Sequence, residues 1–458
     1  MKIVVCIRQG LDGEPGPFDA AALEAALSVE NAEVTLLSMA APSAGDFLQA
    51  LTRLGARRAV LLSDKAFAGA DTLATAYALR CAIEKLSPDF VFCGRQTMVG
   101  DTAQTPPMLA EMLGFDFASG VMTLRGDGED GLWCTTRGES EKHMGRGTLF
   151  AIERGYTLRL PRLRSKSVEP EIWTAADIAA DTSRCGLVGS PTRVLAGFEN
   201  TSGKRKCTFI RREELETVIA RARDAQKEKA VKAESVSAEK LRKVFSVGVA
   251  PLSFADAVCD NVKIAEGCDL DRLEEEIRRE TPDAVIWGSD ARSKEGAARL
   301  AARLSLGLCA DCTHLAVENG ELVMYRPALS GSVIAKIKSL TSPVMATVRT
   351  ENGDAGDVIV TAGFGVKDEL ARVKAFAASL GATLCATRKL VDGGYMDYET
   401  QVGLTGKRVA PPVYLALGVS GAVHHLAGME RSGTVIAINP DKNAPIFEYA
   451  DYGILDTF

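Results

Sequence analysis

The chain has 458 residues, which is too long for one ordinary hydrophobic core and predicts about three domains. Hydrophobic residues make up 46% and charged residues 25% of the sequence, and the formal net charge is -6, so bulk electrostatics indicate neither a nucleic-acid nor a membrane partner. No apolar run approaches the roughly 20 residues of a membrane-spanning helix, and the run IVVCI is too short for a signal peptide, so we expect a cytoplasmic protein.

Residues 2–114 alternate apolar strands with amphipathic helical patterns. Strands separated by helices predict a parallel sheet that is covered on both faces, and ligands of such sheets bind at the carboxyl ends of the strands. One strand end is followed by the polar loop GRQTMVGDTAQTPP, in which four side chains crowd the start of the next helix: Asp101, Thr102, Gln104 and Thr105. Because these residue types are also ordinary helix caps, the pattern alone leaves a nucleotide site and simple capping both open.

Four phrases in this half resemble the beta subunit of the electron transfer flavoprotein family: PFDAAALEAAL (17–27), LLSDKAFAGADTLATAYAL (61–79), GRQTMVGDTAQ (94–104) and GSPTRV (189–194). The resemblance implies that the loop binds a second adenine nucleotide through Asp101, Thr102, Ala103, Gln104 and Thr105. Its GDTAQ spelling resembles the subgroup that holds a second FAD there, whereas carrier-only relatives usually hold AMP. By the same comparison, Leu160 falls where the family has its recognition-loop leucine, which docks on partner dehydrogenases, although the lysine-rich run that follows it in relatives is absent here.

From Ser202 to Lys243 the composition changes to dense mixed charge with few aromatic residues. The run REELETVIARARDAQKEKA is helical in pattern and strongly polar, which predicts a solvated connector. We expect this connector to join two parts that are separate subunits in relatives.

The sequence contains an internal repeat, with one copy on each side of the connector. PDFVFCG at 88–94 recurs as PDAVIWG at 282–288, and each copy precedes a helical pattern that ends near a glycine. Two similar α/β domains in one chain predict a pseudo-symmetric base. The second copy resembles the first domain of the family's alpha subunit through GLCADCTHL (307–315), RPALSGS (326–332) and MATVR (345–349). This resemblance implies that Arg326 contacts a second nucleotide.

Eleven cysteines are scattered along the chain, which fits a reducing compartment. Cys309 and Cys312 have the spacing of a redox or metal pair. No second pair and no nearby pair of histidines completes a zinc site, so we expect no metal and interpret both thiols as structural.

Residues 357–458 restart the strand and helix rhythm and carry three glycine turns. The first is Gly363-Phe364-Gly365, and the other two flank a buried apolar strand in the segment QVGLTGKRVAPPVYLALGVSGAVHH (401–425). Glycines let the backbone approach a ligand closely, and the free amides at a helix start favour an anion such as pyrophosphate. The segment therefore predicts a crossover that holds a cofactor.

The phrases SGAVHHLAGM (420–429), AINPDKNAPIF (437–447) and ADYGI (450–454) resemble the flavin-binding domain of the family's alpha subunit nearly letter for letter. The resemblance implies a bound FAD, with Arg388 against the isoalloxazine ring and His425 near its pyrimidine carbonyl. It also implies contacts from further residues: Gly363, Gly365, Gln401, Gly403, Thr405, Gly406, Ser420, Gly421, Asn439 and Asp451.

Reduction puts negative charge on the pyrimidine side of a flavin, so cationic or donor groups aimed there would stabilise it. Arg388 and His425 are the candidates. An unpaired buried arginine is costly, so we expect Arg388, at a strand end beside glycine turns, to meet an anion or a π-face. Phe364 and Leu404 stand where relatives usually carry arginine and glutamine, and both remove a polar group near the expected flavin.

These observations predict an α/β fold in which two pseudo-symmetric Rossmann-like parallel-sheet domains form a base and a C-terminal α/β domain binds FAD. The expected boundaries are 1–200 for a beta-subunit-like nucleotide-binding domain, 201–243 for the charged linker, 244–350 for a shortened alpha-subunit-like N-terminal domain and 351–458 for the FAD-binding domain.

Three functions stay open. The first is a fused electron transfer flavoprotein, a carrier rather than a stand-alone enzyme, between a flavoprotein dehydrogenase of the acyl-CoA dehydrogenase type and another redox partner. The second is an NADH-oxidising, electron-bifurcating flavoprotein with a second FAD, and the third is a non-redox adenine-nucleotide-binding module. They predict one, two and no FAD per chain, respectively. A hydrolase is excluded because the sequence around Ser420, GVSGA, lacks the last glycine of the nucleophile elbow.

Overall fold

The computed structural model describes residues 1–10, 13–97, 100, 102–126, 131–136, 140–199, 204–229, 239–267, 269–328, 333–349, 356–403 and 406–458, with backbone alone over 224–229. The chain divides into two compact units. The first comprises 1–197, 237–329 and 335–349, and the second comprises 198–236, 330–334 and 350–458.

The strands of the described residues are, in chain order, β1 (Lys2–Cys6), β2 (Glu33–Met39), β3 (Arg58–Leu62), β4 (Phe90–Gly94), β5 (Asp116–Gly126), β6 (Leu132–Thr136), β7 (Lys142–Met144), β8 (Thr148–Ile152), β9 (Glu171–Trp173), β10 (Thr192–Glu199), β11 (Thr208–Phe209), β12 (Val244–Val247), β13 (Val262–Ala265), β14 (Ala284–Trp287), β15 (Leu308–Cys312), β16 (His314–Glu318), β17 (Glu321–Ala328), β18 (Val333–Ser339), β19 (Val344–Val348), β20 (Val358–Ala362), β21 (Thr383–Ala386), β22 (Val413–Leu417), β23 (Thr434–Ile438) and β24 (Tyr452–Ile454).

The α-helices of the same residues are α1 (Pro17–Leu27), α2 (Gly45–Thr52), α3 (Thr72–Leu86), α4 (Thr105–Leu113), α5 (Gly186–Gly189), α6 (Leu215–Lys229), α7 (Leu252–Val258), α8 (Leu270–Glu280), α9 (Ala291–Leu304), α10 (Leu370–Ser379), α11 (Arg388–Asp392) and α12 (Val423–Leu426). Capping explains several helix ends. The side chains of Asp71, Asp269 and Asp290 accept backbone hydrogen bonds at the starts of α3, α8 and α9. Gly114 ends α4 at a φ of +67°.

The first sheet of the first unit has the strand order β7-β6-β5-β8-β4-β1-β2-β3-β9 among the described residues. Strand β1 pairs in parallel with β2 on one side and β4 on the other, so the strand order reverses between β1 and β4. Helices α1 and α2 pack on one face of the sheet, and α3 and α4 pack on the other. Both faces are therefore buried, which is why the strands are continuously apolar and why the predicted covered parallel sheet is confirmed.

The second sheet of this unit, β13-β12-β14-β19-β15, repeats the arrangement with β14 beside β12. The internal repeat thus has a structural basis, because β4 and β14 occupy corresponding places across the reversal of strand order. Helices α4 and α9, which follow these strands, pack together, and Glu111 pairs with Arg299 and Arg303 across their contact. The two sheets share one continuous hydrophobic core. A third sheet, β10-β18-β17-β16, completes the described sheets outside the C-terminal sheet.

The sheet of the second unit has the order β11-β24-β23-β22-β20-β21. Strands β20, β22 and β23 are the central ones, and they are rich in valine, leucine and isoleucine because helices and loops cover both faces. Strand β20 pairs in parallel with β21 on one side and β22 on the other. The strand order therefore reverses between β20 and β22.

The structure differs from the expected solvated connector at residues 204–229. Strand β11 pairs in parallel with β24, and α6 buries Leu215, Ile219 and Ala222 in the core of the second unit. These three residues have the i, i+4, i+7 spacing of an apolar stripe. The average composition of the segment is dominated by charged residues, so it does not reveal the stripe. The helical spacing of the apolar residues is nevertheless present in the sequence.

None of the described helices combines the length and the hydropathy that crossing a bilayer would require.

Candidate functional site

The strand order reverses between β20 and β22, and open α/β sheets bind their ligands in the crevice that such a reversal forms at the carboxyl ends of the strands. Two glycine turns meet there. The Gly363 amide donates to the Leu417 carbonyl at 2.7 Å, and the Gly365 amide donates to the Gly418 carbonyl at 3.1 Å. A Cβ on Gly363 would lie 2.1 Å from the Gly418 oxygen. Only glycine fits at position 363, because the backbone of its turn contacts the backbone of the turn at Gly418.

Strand β21 brings a third group of residues to the same edge. The Thr387 amide donates to the Ala362 carbonyl at 2.9 Å, which places the start of α11 beside the first glycine turn. The Thr387 hydroxyl oxygen is buried and has no hydrogen-bond partner among the described residues. A buried polar group without a partner indicates a site that a ligand would satisfy. Thr387 was not predicted from the sequence, although a hydroxyl residue directly before Arg388 at a strand end was a usable signal.

Arg388 is the first residue of α11, and the structure differs from its expected environment. Its guanidinium Nε donates to the Asp392 carboxylate at 3.0 Å, and 32% of the side chain is exposed. The arginine is therefore neither unpaired nor deeply buried, because the i, i+4 spacing on a short helix supplies its own counter-ion. It remains a cation at the edge of the crevice.

The turn from Gln401 to Gly406 lies next to the end of β21. The Val402 amide donates to the Ala386 carbonyl at 2.9 Å, and Gln401 is buried, with 1% of its surface exposed. Gly403 has a φ of +149°, and a Cβ there would lie 2.9 Å from the His424 carbonyl oxygen. A Cβ on Gly406 would lie 2.3 Å from the Gln401 oxygen. The expected contact Thr405 and the substituted position Leu404 lie outside the described residues.

His425 lies on α12 beneath this turn and is buried. Its Nδ1 is 3.1 Å from the Val402 carbonyl, and its Nε2 is 3.0 Å from the Tyr414 hydroxyl. Burial lowers the pKa of His425 to about 4. The imidazole is consequently neutral at pH 7, so it does not add a second cation to the site.

The remaining expected contacts divide into exposed and structural groups. Ser420 is exposed in the turn after β22, and Gly421 adopts a φ of +88°, where a Cβ would lie 2.2 Å from the Ile446 amide nitrogen. The Asn439 amide donates to the Val419 carbonyl at 2.9 Å and accepts from the Asp441 amide at 2.9 Å. Asn439 thus holds two backbone segments at the crevice.

The carboxylate of Asp451 accepts hydrogen bonds from other residues of the protein. It accepts from the Val435 amide at 2.8 Å and pairs with Arg205, whose guanidinium also donates to the carbonyl of Gly433 at 2.6 Å and to that of Ser432. Arg205 was not predicted. Its signal was hidden in the charged segment, where nothing local distinguishes it from neighbouring lysines.

The second expected site lies in the first unit. Gln104 is buried; its side-chain oxygen accepts from the Thr72 hydroxyl at 2.9 Å, and its amide donates to the Leu308 carbonyl at 3.3 Å. The Arg326 guanidinium donates to the Gly100 carbonyl at 2.8 Å. Ala103 has a φ of +53°, Thr102 and Thr105 are half-buried beside it, and Asp101 lies outside the described residues. The loop is therefore bound by both halves of the base.

Two further expectations concern residues away from both crevices. Leu160 is 88% exposed and Leu163 is 100% exposed, so the segment presents two apolar side chains to solvent. Cys309 and Cys312 are buried in β15, where the Cys312 thiol donates to the Cys309 carbonyl at 3.7 Å.

Lowering the pH should destabilise the second unit through His425. The imidazole binds a proton below about pH 6.5 when unfolded but only below about pH 4 when folded, so the unfolded state binds more protons between these values. The free energy of unfolding should therefore fall as the pH drops from 6.5 to 4, by about 2 kcal/mol at pH 5. Urea-dependent hydrogen exchange of β22 and α12, corrected for intrinsic exchange rates, measures this change.

His425→Asn should remove that slope, and an unchanged slope would contradict its assignment. The first unit provides an internal contrast. Burial raises the pKa of Asp19 to about 7, so the folded state there binds the extra proton and α1 should lose stability as the pH rises from 4 to 7.

A reversal of strand order with contacting glycine turns and a buried hydroxyl at the carboxyl ends of the strands is typical of nucleotide-binding α/β proteins. Residues 3–144 and 271–377 match the Electron transfer flavoprotein domain, and residues 354–430 match the Electron transfer flavoprotein FAD-binding domain. The first match alone spans more than half of the chain. The chain therefore belongs to the electron transfer flavoprotein family.

Several known proteins are similar to parts of the chain. The electron transfer flavoprotein subunit alpha of Thermoanaerobacterium thermosaccharolyticum is 37% identical over 38% of this chain and 67% of its own length. Protein FixA of Azorhizobium caulinodans is 38% identical over 44% of this chain and 79% of its own length. The lactate dehydrogenase (NAD(+),ferredoxin) subunit LctC of Acetobacterium woodii is 35% identical over 40% of this chain and 54% of its own length.

Proposed function

We propose that the chain is a fused electron transfer flavoprotein that carries FAD in its C-terminal unit and passes electrons between a flavoprotein dehydrogenase and another redox partner. The observation that carries this proposal is the crevice between β20 and β22, where Gly363 and Gly418 meet backbone to backbone beside the buried Thr387 hydroxyl. The match of 354–430 to the FAD-binding domain supports the same conclusion.

The residues of the crevice fit FAD. The glycine turns remove the side chains that would separate the backbone from a diphosphate, and free amides at helix starts favour its charge. The Thr387 hydroxyl can donate to the ligand, and Arg388 supplies a cation while Asp392 holds its side chain. When bound, FAD supplies the electron-accepting chemistry. The protein's part is to bind it, orient it and set the charge around it.

The fusion of two subunits is supported by the relatives. The alpha-subunit relative covers 38% of the chain and FixA covers 44%, so neither accounts for the whole chain. The paired sheets of the first unit, with Glu111 joined to Arg299 and Arg303 across α4 and α9, fit two homologous parts that share one core. Residues 198–236 connect these parts and contribute β11 and α6 to the second unit.

The partner-docking proposal rests on Leu160 and its exposed neighbour Leu163. Leu160→Ala should raise the half-saturating concentration of this protein in electron transfer from an acyl-CoA dehydrogenase about tenfold, because an exposed leucine that becomes buried at an interface contributes about 1–2 kcal/mol. Stopped-flow reduction of the bound flavin measures this. The matched control is Val249→Ala, which removes another exposed apolar side chain and should change nothing.

A second candidate function is NADH-dependent electron bifurcation with a second FAD at the 100–105 loop. It is favoured by the similarity to LctC, whose name gives NAD(+) and ferredoxin as its reactants. It is also favoured by the way Gln104 and Arg326 bind the loop from both halves of the base.

The deciding experiment counts cofactors in protein purified from its native host and then titrates it with NADH. One FAD with AMP supports the carrier. Two FAD per chain with rapid bleaching by NADH supports bifurcation. A colourless preparation that fails to take up added FAD overturns both and leaves a non-redox nucleotide-binding module.

A further inference from the structure

The two cysteines of β15 lie on the same side of their strand because the strand is irregular. In a regular strand, residues three positions apart point to opposite faces of the sheet. The pairing of β15 with β19 shifts register between Cys309 and Cys312, and Asp311 takes a left-handed conformation with a φ of +57°. One extra residue at such a bulge reverses the alternation of side chains. Both cysteines are therefore buried in the same hydrophobic core.

The two thiols are in contact. Both are free and buried, with 2% of Cys309 and 0% of Cys312 exposed. The Cys312 thiol donates to the Cys309 sulfur as well as to the Cys309 carbonyl. The bulge thus brings together the sulfur atoms of a C-x-x-C pair, which is the first condition for a disulfide between them.

Arg326 places a positive charge beside this pair. It lies on β17 and is 8% exposed, and its guanidinium donates to the carbonyls of Pro327 and Gly100. Among the residues that the structure describes, no carboxylate pairs with it. A buried cation without a counter-ion is costly, and a thiolate at Cys309 supplies the missing charge.

The surrounding groups make the two sulfurs unequal. The hydrogen bond from Cys312 and the charge of Arg326 hold the pKa of Cys309 below its ordinary value, although burial opposes them. Asp311, the acid next to the pair, is balanced by Lys294 at 2.9 Å. Burial and the contact with Cys309 raise the pKa of Cys312. Cys309 is therefore the nucleophile, and Cys312 keeps its proton.

Cys6 and Cys93 are a second pair of contacting thiols with different electrostatics. They lie opposite each other on β1 and β4, and both are buried. The contact with Cys6, burial and the nearby Asp19 all raise the pKa of Cys93. This pair has the sulfur contact but not the neighbouring cation, so it serves as an internal control.

We propose that Cys309 and Cys312 are a reversible redox pair, in which Cys309 reacts with hydrogen peroxide and Cys312 closes the disulfide. Hydrogen peroxide is small enough to reach a buried sulfur through local opening of the strand. The Cys309 thiolate attacks one peroxide oxygen, the O–O bond breaks, and the departing hydroxide takes a proton from solvent and leaves as water. The Cys312 sulfur then attacks the sulfenic acid on Cys309, and its proton leaves with the hydroxyl as a second water. Two thiols and one peroxide thus become one disulfide and two waters, and a dithiol reductant reverses the change.

Peroxide treatment of the reduced full chain, followed by alkylation in denaturant and mass spectrometry, tests the pair. We expect the peptide that contains Cys309 and Cys312 to lose two hydrogens and to escape alkylation, and dithiothreitol to restore both thiols. Cys6 and Cys93 should still be alkylated after the same treatment. Complete alkylation of Cys309 and Cys312 at every peroxide exposure, or equal oxidation of Cys6 and Cys93, would overturn the proposal. The result does not depend on which nucleotide the chain binds.

Substitutions separate the roles of the three residues. Cys312→Ser should stop the reaction at a sulfenic acid on Cys309, which dimedone traps, whereas Cys309→Ser should leave Cys312 unmodified. Arg326→Met should slow disulfide formation about tenfold, because less of Cys309 is ionised, and Arg326→Lys should keep most of the rate. A sulfenic acid on Cys312, or an unchanged rate in Arg326→Met, would contradict these roles. The wild-type chain decides the proposal even where a variant fails to fold.

Discussion

Replacing Gly363 by alanine is expected to abolish FAD binding and to destabilise the second unit by about 3 kcal/mol. The new Cβ would lie 2.1 Å from the Gly418 oxygen and 2.6 Å from the Val419 nitrogen, and both neighbours are backbone atoms that cannot rotate away. The turns must separate, which breaks the hydrogen bond from Gly363 to Leu417. Flavin absorbance retained after gel filtration and chemical denaturation measure the two effects.

Gly356→Ala is the matched control for this substitution. It lies in the same unit, and its nearest neighbour would be the Thr383 hydroxyl at 3.5 Å, an ordinary contact. Its stability should change by less than about 0.5 kcal/mol, with FAD retained. If Gly363→Ala kept stoichiometric FAD, the crevice between β20 and β22 would not be the binding site.

Arg205→Met should destabilise the second unit by about 3 kcal/mol, although Arg205 lies about 150 residues before the rest of that unit in the sequence. The guanidinium pairs with Asp451 and donates to the carbonyls of Gly433 and Ser432. Its loss leaves a half-buried carboxylate and two carbonyls without this donor. Chemical denaturation, followed by hydrogen exchange in β23 and β24, measures the loss.

Lys204→Met provides the comparison for Arg205. Lys204 pairs with Glu448 at 3.3 Å on the surface, where solvent screens the pair, so its removal should leave the stability of the second unit nearly unchanged. Adding Asp451→Asn to Arg205→Met should recover part of the lost stability, because the half-buried charge is removed together with its partner. Equal effects of the two single substitutions would show that residues 204–229 are only a connector.

The chemistry of the site was only partly readable from the sequence. The glycine turns at 363–365 and 418–421 could be recognised because close backbone contact restricts the residue type at each position. The environment of Arg388 was not, because its counter-ion depends on the short helix that brings Asp392 to the same face. The charge of His425 was also not readable, since it follows from burial against Tyr414 and Val402 rather than from any neighbour in sequence.

Residues 204–229 show the same limit at the level of the fold. Their charge density predicted solvation, yet Leu215, Ile219 and Ala222 form the stripe that packs on the second unit. Charge dominates the average composition of such a helix, whereas packing depends on the few positions that share one face. The helical spacing of the apolar residues predicts the helix α6, but it does not predict that this helix packs on the sheet of the second unit.

The sequence by itself determined the alternation of strands and helices, the positions where only glycine fits and the family to which the chain belongs. These properties are local, because strand periodicity, turn geometry and motif spacing involve residues that are close along the chain. Only the tertiary structure decided that Arg205 pairs with Asp451 and that His425 is neutral. It also decided that Glu111 of α4 pairs with Arg299 and Arg303 of α9. Each of these depends on groups that folding brings together and removes from water, where desolvation and pairing set charge and hydrogen-bond direction.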